Sequence, residues 1–187
     1  MVNPWHLKRA RRVLRQGGVI AYPTEAVYGL GCDPWDAKGV FGLTNLKRRS
    51  AGQGFILIAS ELSQVRELVK FPDGEMAERV IASWPGHTTW IFDAGKEAPP
   101  WLVGDAGTLA LRVTSHPLAK SLCQSFGRPI ISTSANMHGR TPARTALQVR
   151  TSLPRAAVDY ILCGEVGGRR APSEIRDARN GKVIRKG

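Results

Sequence analysis

Short apolar runs recur along the chain at lengths that suit strands, and stretches with apolar residues every three or four positions separate them. Seven runs carry the apolar, β-branched or aromatic content of strands: Val19 to Tyr22, Phe55 to Ala59, Thr89 to Phe92, Leu109 to Val113, Pro129 to Ser132, Tyr160 to Cys163, and a last one near Val183. The helical stretches between them have their own start signals. Asn3 can cap a first helix, Pro4 fits its first position, and Gly17 can end it in a left-handed turn. Ser60 is expected to cap a helix with Leu62, Val65, Leu68 and Val69 on one face, and Asp73 a second with Met76, Val80 and Ile81 inward. Pro117 and Pro142 each suit a first helical turn, opening "HPLAKSLCQSFG" and "TPARTALQVR".

Strand and helix signals alternate without a long linker, a repeat or a low-complexity segment, which predicts one α/β domain over residues 1–187. Its architecture is expected to be an open twisted sheet with flanking helices. The closely spaced final segments around "GEVGGRR" favour some antiparallel pairing, so the sheet should be mixed.

Composition changes this picture in one respect. Hydrophobic residues at 42% and charged residues at 22% are ordinary for a globular chain of 187 residues, but Lys+Arg 27 against Asp+Glu 15 leaves a net charge of +12. The excess gathers toward the ends, with Lys8, Arg9, Arg11, Arg12 and Arg15 in the first helix and Arg169, Arg170, Arg176, Arg179, Lys182, Arg185 and Lys186 in the last segments. Such a balance favours nucleic acid, phosphorylated ligands or an acidic partner; a solvated basic surface accounts for it equally well. Cys32, Cys123 and Cys163 lie far apart in no paired spacing, which suits a reducing cytoplasm. No apolar run approaches the ~18 residues of a membrane span, and the basic first segment reads as a folded helix leading into a strand rather than as a transit peptide.

Three segments place polar groups just beyond strand ends, where open α/β sheets bind ligands: "YPTEAVYGLG", "LRVTSH" and "ISTSANMHGR". In the last, Ser132, Thr133, Ser134 and Asn136 can donate to a phosphate or carboxylate, or can close a turn on their own backbone. Lys47, Arg48 and Arg49 sit at a helix end, where cations complement the helix dipole by about 0.3–1 kcal/mol; in an extended segment Lys47 and Arg49 would instead share a face and could clamp a polyphosphate. Arg112 is the lone charge in the apolar "TLALRV", so it is either paired with a carboxylate or left for an anionic ligand. Gly29 and Gly31 leave the backbone bare, as a tight turn or a close approach by a ligand requires. His6, His87, His116 and His138 have no metal-ligand spacing, and the P-loop, dinucleotide, GxSxG and HExxH signatures are all missing.

In order, "AYPTEAVYGLGCDP", "LKRR", "WPGHTTWIF", "LALRVTSHPLA", "STSANMHG" and "GGRRAPSEIRDA" resemble the threonylcarbamoyl-AMP synthase family, the YrdC-like proteins, from about Val19 to the C-terminus. The resemblance implies an α/β sheet with a basic concave cleft and an enzyme that joins L-threonine, bicarbonate and ATP into threonylcarbamoyl-AMP with release of pyrophosphate. It also implies Mg²⁺ carried by the triphosphate, and delivery of the product to tRNA modification through tRNA or downstream transfer proteins. Carried over position by position, Lys47, Arg49, Ser134, Asn136 and Arg185 are expected at ATP, with Lys47 and Arg49 the catalytic cations. Thr24, Arg112, Ser132 and Ser173 are expected at threonine. Ser50, Gln53, His87, Met137 and His138 depart from the family's usual residues. The alternative from another class is a non-enzymatic RNA-binding protein that grips phosphates with its basic ends.

Overall fold

The computed structural model describes residues 3–50 and 52–187, so residue 51 in the expected loop after Arg49 lies outside the described residues. Nine strands are described: β1 (Ile20–Pro23), β2 (Tyr28–Gly31), β3 (Ile56–Ala59), β4 (Thr88–Asp93), β5 (Thr108–Val113), β6 (Ile130–Ser134), β7 (Tyr160–Ile161), β8 (Glu174–Asp177) and β9 (Val183–Arg185). They form one sheet in the order β7-β1-β2-β6-β3-β5-β4-β8-β9. β1 with β7, β3 with β5 and β4 with β8 run parallel, and the remaining neighbours run antiparallel, so the sheet is mixed as expected.

Five helices flank it: α1 (Pro4–Arg15), α2 (Ala37–Lys47), α3 (Gly74–Ala82), α4 (Pro117–Phe126) and α5 (Ala146–Ser152). Strand alternation sorts them onto two faces. Ala10 and Leu14 of α1 join Leu118, Leu122 and Phe126 of α4 over Ile20, Tyr22, Ile58 and Ile130. On the other face Val40 and Leu43 of α2, Val80 of α3 and Val149 of α5 cover Ala21, Leu30, Leu57, Leu111 and Ile131. Each such aliphatic side chain contributes roughly 1.5–3 kcal/mol on full burial. Along β6 the face that starts with Ile130 under α4 continues with Ser132 and Ser134, which line an open cleft. The helical layer stops there, and the strand turns polar with it.

Several local expectations change. The "YGLG" stretch is strand β2 rather than a turn, and its glycines answer a neighbour in the core. A Cβ on Gly29 would stand 3.2 Å from the Tyr22 ring, and one on Gly31 would stand 2.9 Å from that ring and 2.5 Å from the Ile131 carbonyl oxygen. The bare backbone therefore makes room for Tyr22, whose hydroxyl donates across the sheet to Ile131 O at 3.3 Å. β6 runs on to Ser134 instead of ending at Ser132, because Thr133 and Ser134 pair with Leu30 and Gly29. β7 is shorter than expected, although Leu162 N still donates to Ala21 O at 2.8 Å.

Ser60 caps no helix: two single 3₁₀ turns, Leu62–Gln64 and Arg66–Leu68, replace it. The Gln64 side chain accepts from Ser60 N at 2.9 Å, and that bond occupies the start of the turn in place of a cap. Pro142 precedes the helix it was expected to open. Thr145 caps α5 instead, in a reciprocal box with Gln148 that the T-x-x-Q spacing encodes. Ile81 is half exposed rather than inward on α3, where Val80 supplies the buried contact. The first helix follows its signals, with Asn3 Oδ1 accepting from Trp5 N at 2.9 Å and Gly17 at φ +73°.

Candidate active site

The cleft is walled by the β1–β2 loop, the inner ends of β5 and β6, the segment after α2, and the last part of the chain. Thr24 closes the loop by donating from its hydroxyl to Val27 O at 2.7 Å, which turns Glu25 back beneath the end of β5. There Glu25 Oε2 lies 3.3 Å from Arg112 Nη2, with both side chains only 7% exposed. Glu25 Oε1 accepts from the Thr114 hydroxyl at 2.7 Å and from Ser115 N at 3.1 Å. Burial pushes the Glu25 carboxyl up, but Arg112 and Thr114 outweigh it and hold it below the usual carboxylate range. The lone charge of the apolar strand is thus paired, and its guanidinium still reaches the cleft wall.

A second network stands behind the cleft. Lys47 is the last residue of α2, and its ammonium donates to Asn136 Oδ1 at 2.7 Å, Asn136 O at 2.9 Å and Ser134 O at 3.0 Å, with Ser134 Oγ at 3.4 Å. The Ser134 hydroxyl donates to Asn136 Oδ1 at 2.6 Å, and Asn136 Nδ2 donates to Met137 O at 2.9 Å and to Arg140 O. Burial, with the nearby positive Arg49, pulls the Lys47 ammonium down to about 8. Arg48 adopts a left-handed conformation at φ 48°, so Lys47 and Arg49 are not neighbours on an extended strand; the turn sends Lys47 inward and leaves Arg48 exposed. Arg49 lines the cleft with its guanidinium 4.4 Å from the centre of the Phe55 ring, steadied by the carbonyls of Gln53 and Gly54.

The late chain supplies the remaining wall. Gly167 N and Arg169 N donate to Thr24 O at 2.9 Å and Glu25 O at 3.1 Å. A Cβ on Gly167 would come within 2.6 Å of Glu25 O, so only glycine allows this approach. Further on, Ser173 and Thr89 share a hydroxyl bond of 2.9 Å, and Arg185 Nη2 donates to Ser173 O at 2.8 Å. Burial, followed by the charge of Arg112, holds Arg185 below its ordinary value.

The structure therefore brings Thr24, Arg49, Arg112, Ser132, Ser134, Ser173 and Arg185 to one cleft, and sets Lys47 and Asn136 one layer behind it. Sequence reasoning left out Glu25 as the partner of Arg112, Thr114 as the hydroxyl that steadies Glu25, and His87, whose Nδ1 lies 3.5 Å from Arg112 Nη1. The signal for Glu25 was Arg112 itself, since a buried cation requires a carboxylate or a ligand. His116 serves as the cap of α4, accepting from Ala119 N at 3.4 Å while its Nε2–H donates to Glu165 O at 3.0 Å.

The ion pairs among the described residues engage Arg112 but none of Lys47, Arg49 and Arg185. Arginines without a carboxylate of their own, set among hydroxyls, suit anionic ligands. Among the described residues no group of three or more His, Cys, Asp and Glu side chains could hold a metal ion, and Glu25 is committed to Arg112. The cleft has a volume of about 160 Å³, against roughly 300–1,000 Å³ for a pocket that takes a drug-sized molecule. A small molecule fits inside, and anything larger must extend along the open side.

The family model Sua5_yciO_yrdC, described as Telomere recombination, matches residues 12–187. The threonylcarbamoyl-AMP synthase of Nitrosococcus oceani is 48% identical over 181 residues, covering 97% of this chain and 97% of its own length. That of Coxiella burnetii is 51% identical over 176 residues, covering 94% of each. The crystal structure of P. abyssi Sua5 complexed with L-threonine superposes with a TM-score of 0.89 at 27% identity; it covers 99% of this chain, which spans 55% of that one. Sequence and fold agree over nearly the whole length, and the chain belongs to the Sua5/YciO/YrdC family.

Proposed function

We propose that this chain is a threonylcarbamoyl-AMP synthase: it joins L-threonine, bicarbonate and ATP, and releases threonylcarbamoyl-AMP and pyrophosphate for tRNA threonylcarbamoyladenosine. The observation that carries the reading is the cleft wall of Arg49, Arg112 and Arg185 interleaved with Ser132, Ser134 and Ser173. The names of the relatives support the reaction, and the threonine bound to P. abyssi Sua5 supports an amino acid as one ligand.

In this reading Arg112 receives the threonine carboxylate, with Thr24, Ser132 and Ser173 around the rest of the molecule. Arg49, Arg185 and Ser134 face the ATP phosphates. Lys47 adds its charge from behind and, with Asn136, fixes the Ser134 turn. The threonine amine adds to bicarbonate with loss of water, giving an N-carboxy group; its oxygen then attacks the α-phosphorus and pyrophosphate leaves. Little covalent work falls to the protein, and fixed cations in a partly enclosed site stabilise charge that grows on the phosphate oxygens. Mg²⁺ arrives with the triphosphate, since the cleft offers arginines and hydroxyls rather than free carboxylates. In this reading the protein works in the cytoplasm and hands its product to tRNA or a transfer protein. No helix among the described residues is long and apolar enough to cross a membrane.

The test is pyrophosphate release by the pure protein. Release that requires threonine, bicarbonate and ATP together supports the reading. ATP cleavage independent of threonine, or tight RNA binding with no release, refutes it.

A further inference from the structure

Arg112 is anchored from two sides. Glu25 Oε2 holds Nη2 at 3.3 Å, and His87, the residue before β4, places Nδ1 at 3.5 Å from Nη1. The imidazole is itself held by the late chain, with Nε2 3.0 Å from the carbonyl oxygen of Ala171. A carbonyl only accepts, so a hydrogen sits on Nε2, and Nδ1 faces the guanidinium, a group that only donates, as its acceptor. Arg112 Nε is buried without a partner. That unmet donor gives the guanidinium a reason to pivot, and Glu25 and His87 are the groups that hold it in place.

We propose that His87 is a positioning residue for the amino-acid substrate: its Nδ1 fixes one edge of Arg112, so that the guanidinium presents its fork to a carboxylate in the cleft. The inference rests on the reading of Arg112 as the carboxylate site. A planar guanidinium binds a carboxylate well only in a narrow range of orientation, so a loosened Arg112 weakens the amino acid and leaves the nucleotide untouched. The Ala171 carbonyl acts at one remove by choosing the tautomer.

Three variants separate this role from a structural one. His87→Phe keeps a flat ring and removes both nitrogens. His87→Asn keeps a polar group near the Nδ1 position and is too short for Ala171, whereas His87→Gln reaches toward Ala171 and leaves Arg112 without its acceptor. KM for threonine, KM for ATP and kcat are read from pyrophosphate release; KM does not depend on the folded fraction, so a partly unfolded variant still reports. The expected result is a threonine KM raised about threefold to tenfold in His87→Phe, the scale of one ordinary hydrogen bond felt through Arg112. ATP KM and kcat should stay within about twofold, His87→Asn should recover most of the loss, and His87→Gln should not. An unchanged threonine KM in His87→Phe overturns the proposal, as does rescue by Gln but not Asn, which assigns the residue to tethering the late chain. Arg112→Lys tests the reading beneath: an unchanged threonine KM there removes Arg112 from the substrate site and overturns both, while a raised one beside a silent His87→Phe overturns only the role of His87.

Discussion

Two regions of this molecule carry much of its positive charge and use it in opposite ways. On α1, Lys8, Arg9, Arg12 and Arg15 are exposed, while Ala10 and Leu14, with Leu7 and Val13 beside them, turn into the core; Arg9 rests over the rings of Trp5 and Tyr160 at 5.4 and 5.5 Å. At the cleft, Arg112 in its wall and Lys47 one layer behind are 6% and 7% exposed, and each is held by named partners. A cation in water can be moved or removed at small cost, whereas a buried one commits its neighbours, because burial without partners is expensive. Net charge counts the two groups alike. Only the buried group specifies a geometry, and chemistry needs geometry.

The contrast breaks first at Arg112. Arg112→Ala leaves Glu25 buried without its cation and should cost about 3–5 kcal/mol in chemical denaturation. Pairing it with Glu25→Gln should restore much of that stability and none of the threonine binding. If the single variant is as stable as the parent, the pair does not hold the site.

Lys47→Met comes next. It takes a donor from Ser134 O and Asn136 O and leaves Asn136 Oδ1 with the Ser134 hydroxyl alone, which should cost about 1–3 kcal/mol, and turnover should fall roughly a hundredfold, the scale for removing a preorganised charge. An unaltered rate would reduce Lys47 to a packing residue.

The same ammonium gives a pH signature. Its folded value of about 8 lies below the ordinary lysine value of 10.5, so the folded chain sheds this proton first. Between those values the unfolded chain binds more protons, and the contribution of this group to stability rises with pH while the cleft loses a charge. Turnover should therefore fall with an alkaline limb near 8 that is absent in Lys47→Arg, as a pH-rate profile would show.

The smallest effect belongs to α1. Replacing Lys8, Arg12 and Arg15 together by alanine should move stability by no more than about 0.5 kcal/mol per site and leave turnover unchanged. A collapse of turnover would erase the distinction between the two regions.

Much of this was legible in the chain, and the parts that were not share a cause. Strands β3, β5 and β6 announce themselves because both faces near their centres are buried, so each carries a run of consecutive apolar residues, broken only by Arg112 in β5 and by the hydroxyls at the end of β6. β2 does not, because its glycines answer the ring of Tyr22 on the neighbouring strand, a contact that only the folded register creates. β8, "EIRD", is half-buried toward the sheet edge and carries too little apolar content to stand out. In the site, the lone charge of Arg112 signalled that a partner or ligand was needed, yet Glu25 is distant in sequence and reaches it through the turn that Thr24 closes. The left-handed Arg48 reverses the expected geometry of its neighbours, and nothing in "KRRS" marks that turn, which usually falls on glycine or asparagine.

The central claim is that the cleft cations, and not the exposed ones, meet the nucleotide. Equilibrium affinity for ATP, measured side by side for Arg49→Ala and for the triple alanine variant of Lys8, Arg12 and Arg15, tests it most directly. The account predicts a loss of about tenfold or more for Arg49→Ala and parent-like affinity for the triple variant. Parent-like affinity in Arg49→Ala with a loss in the triple variant would contradict it.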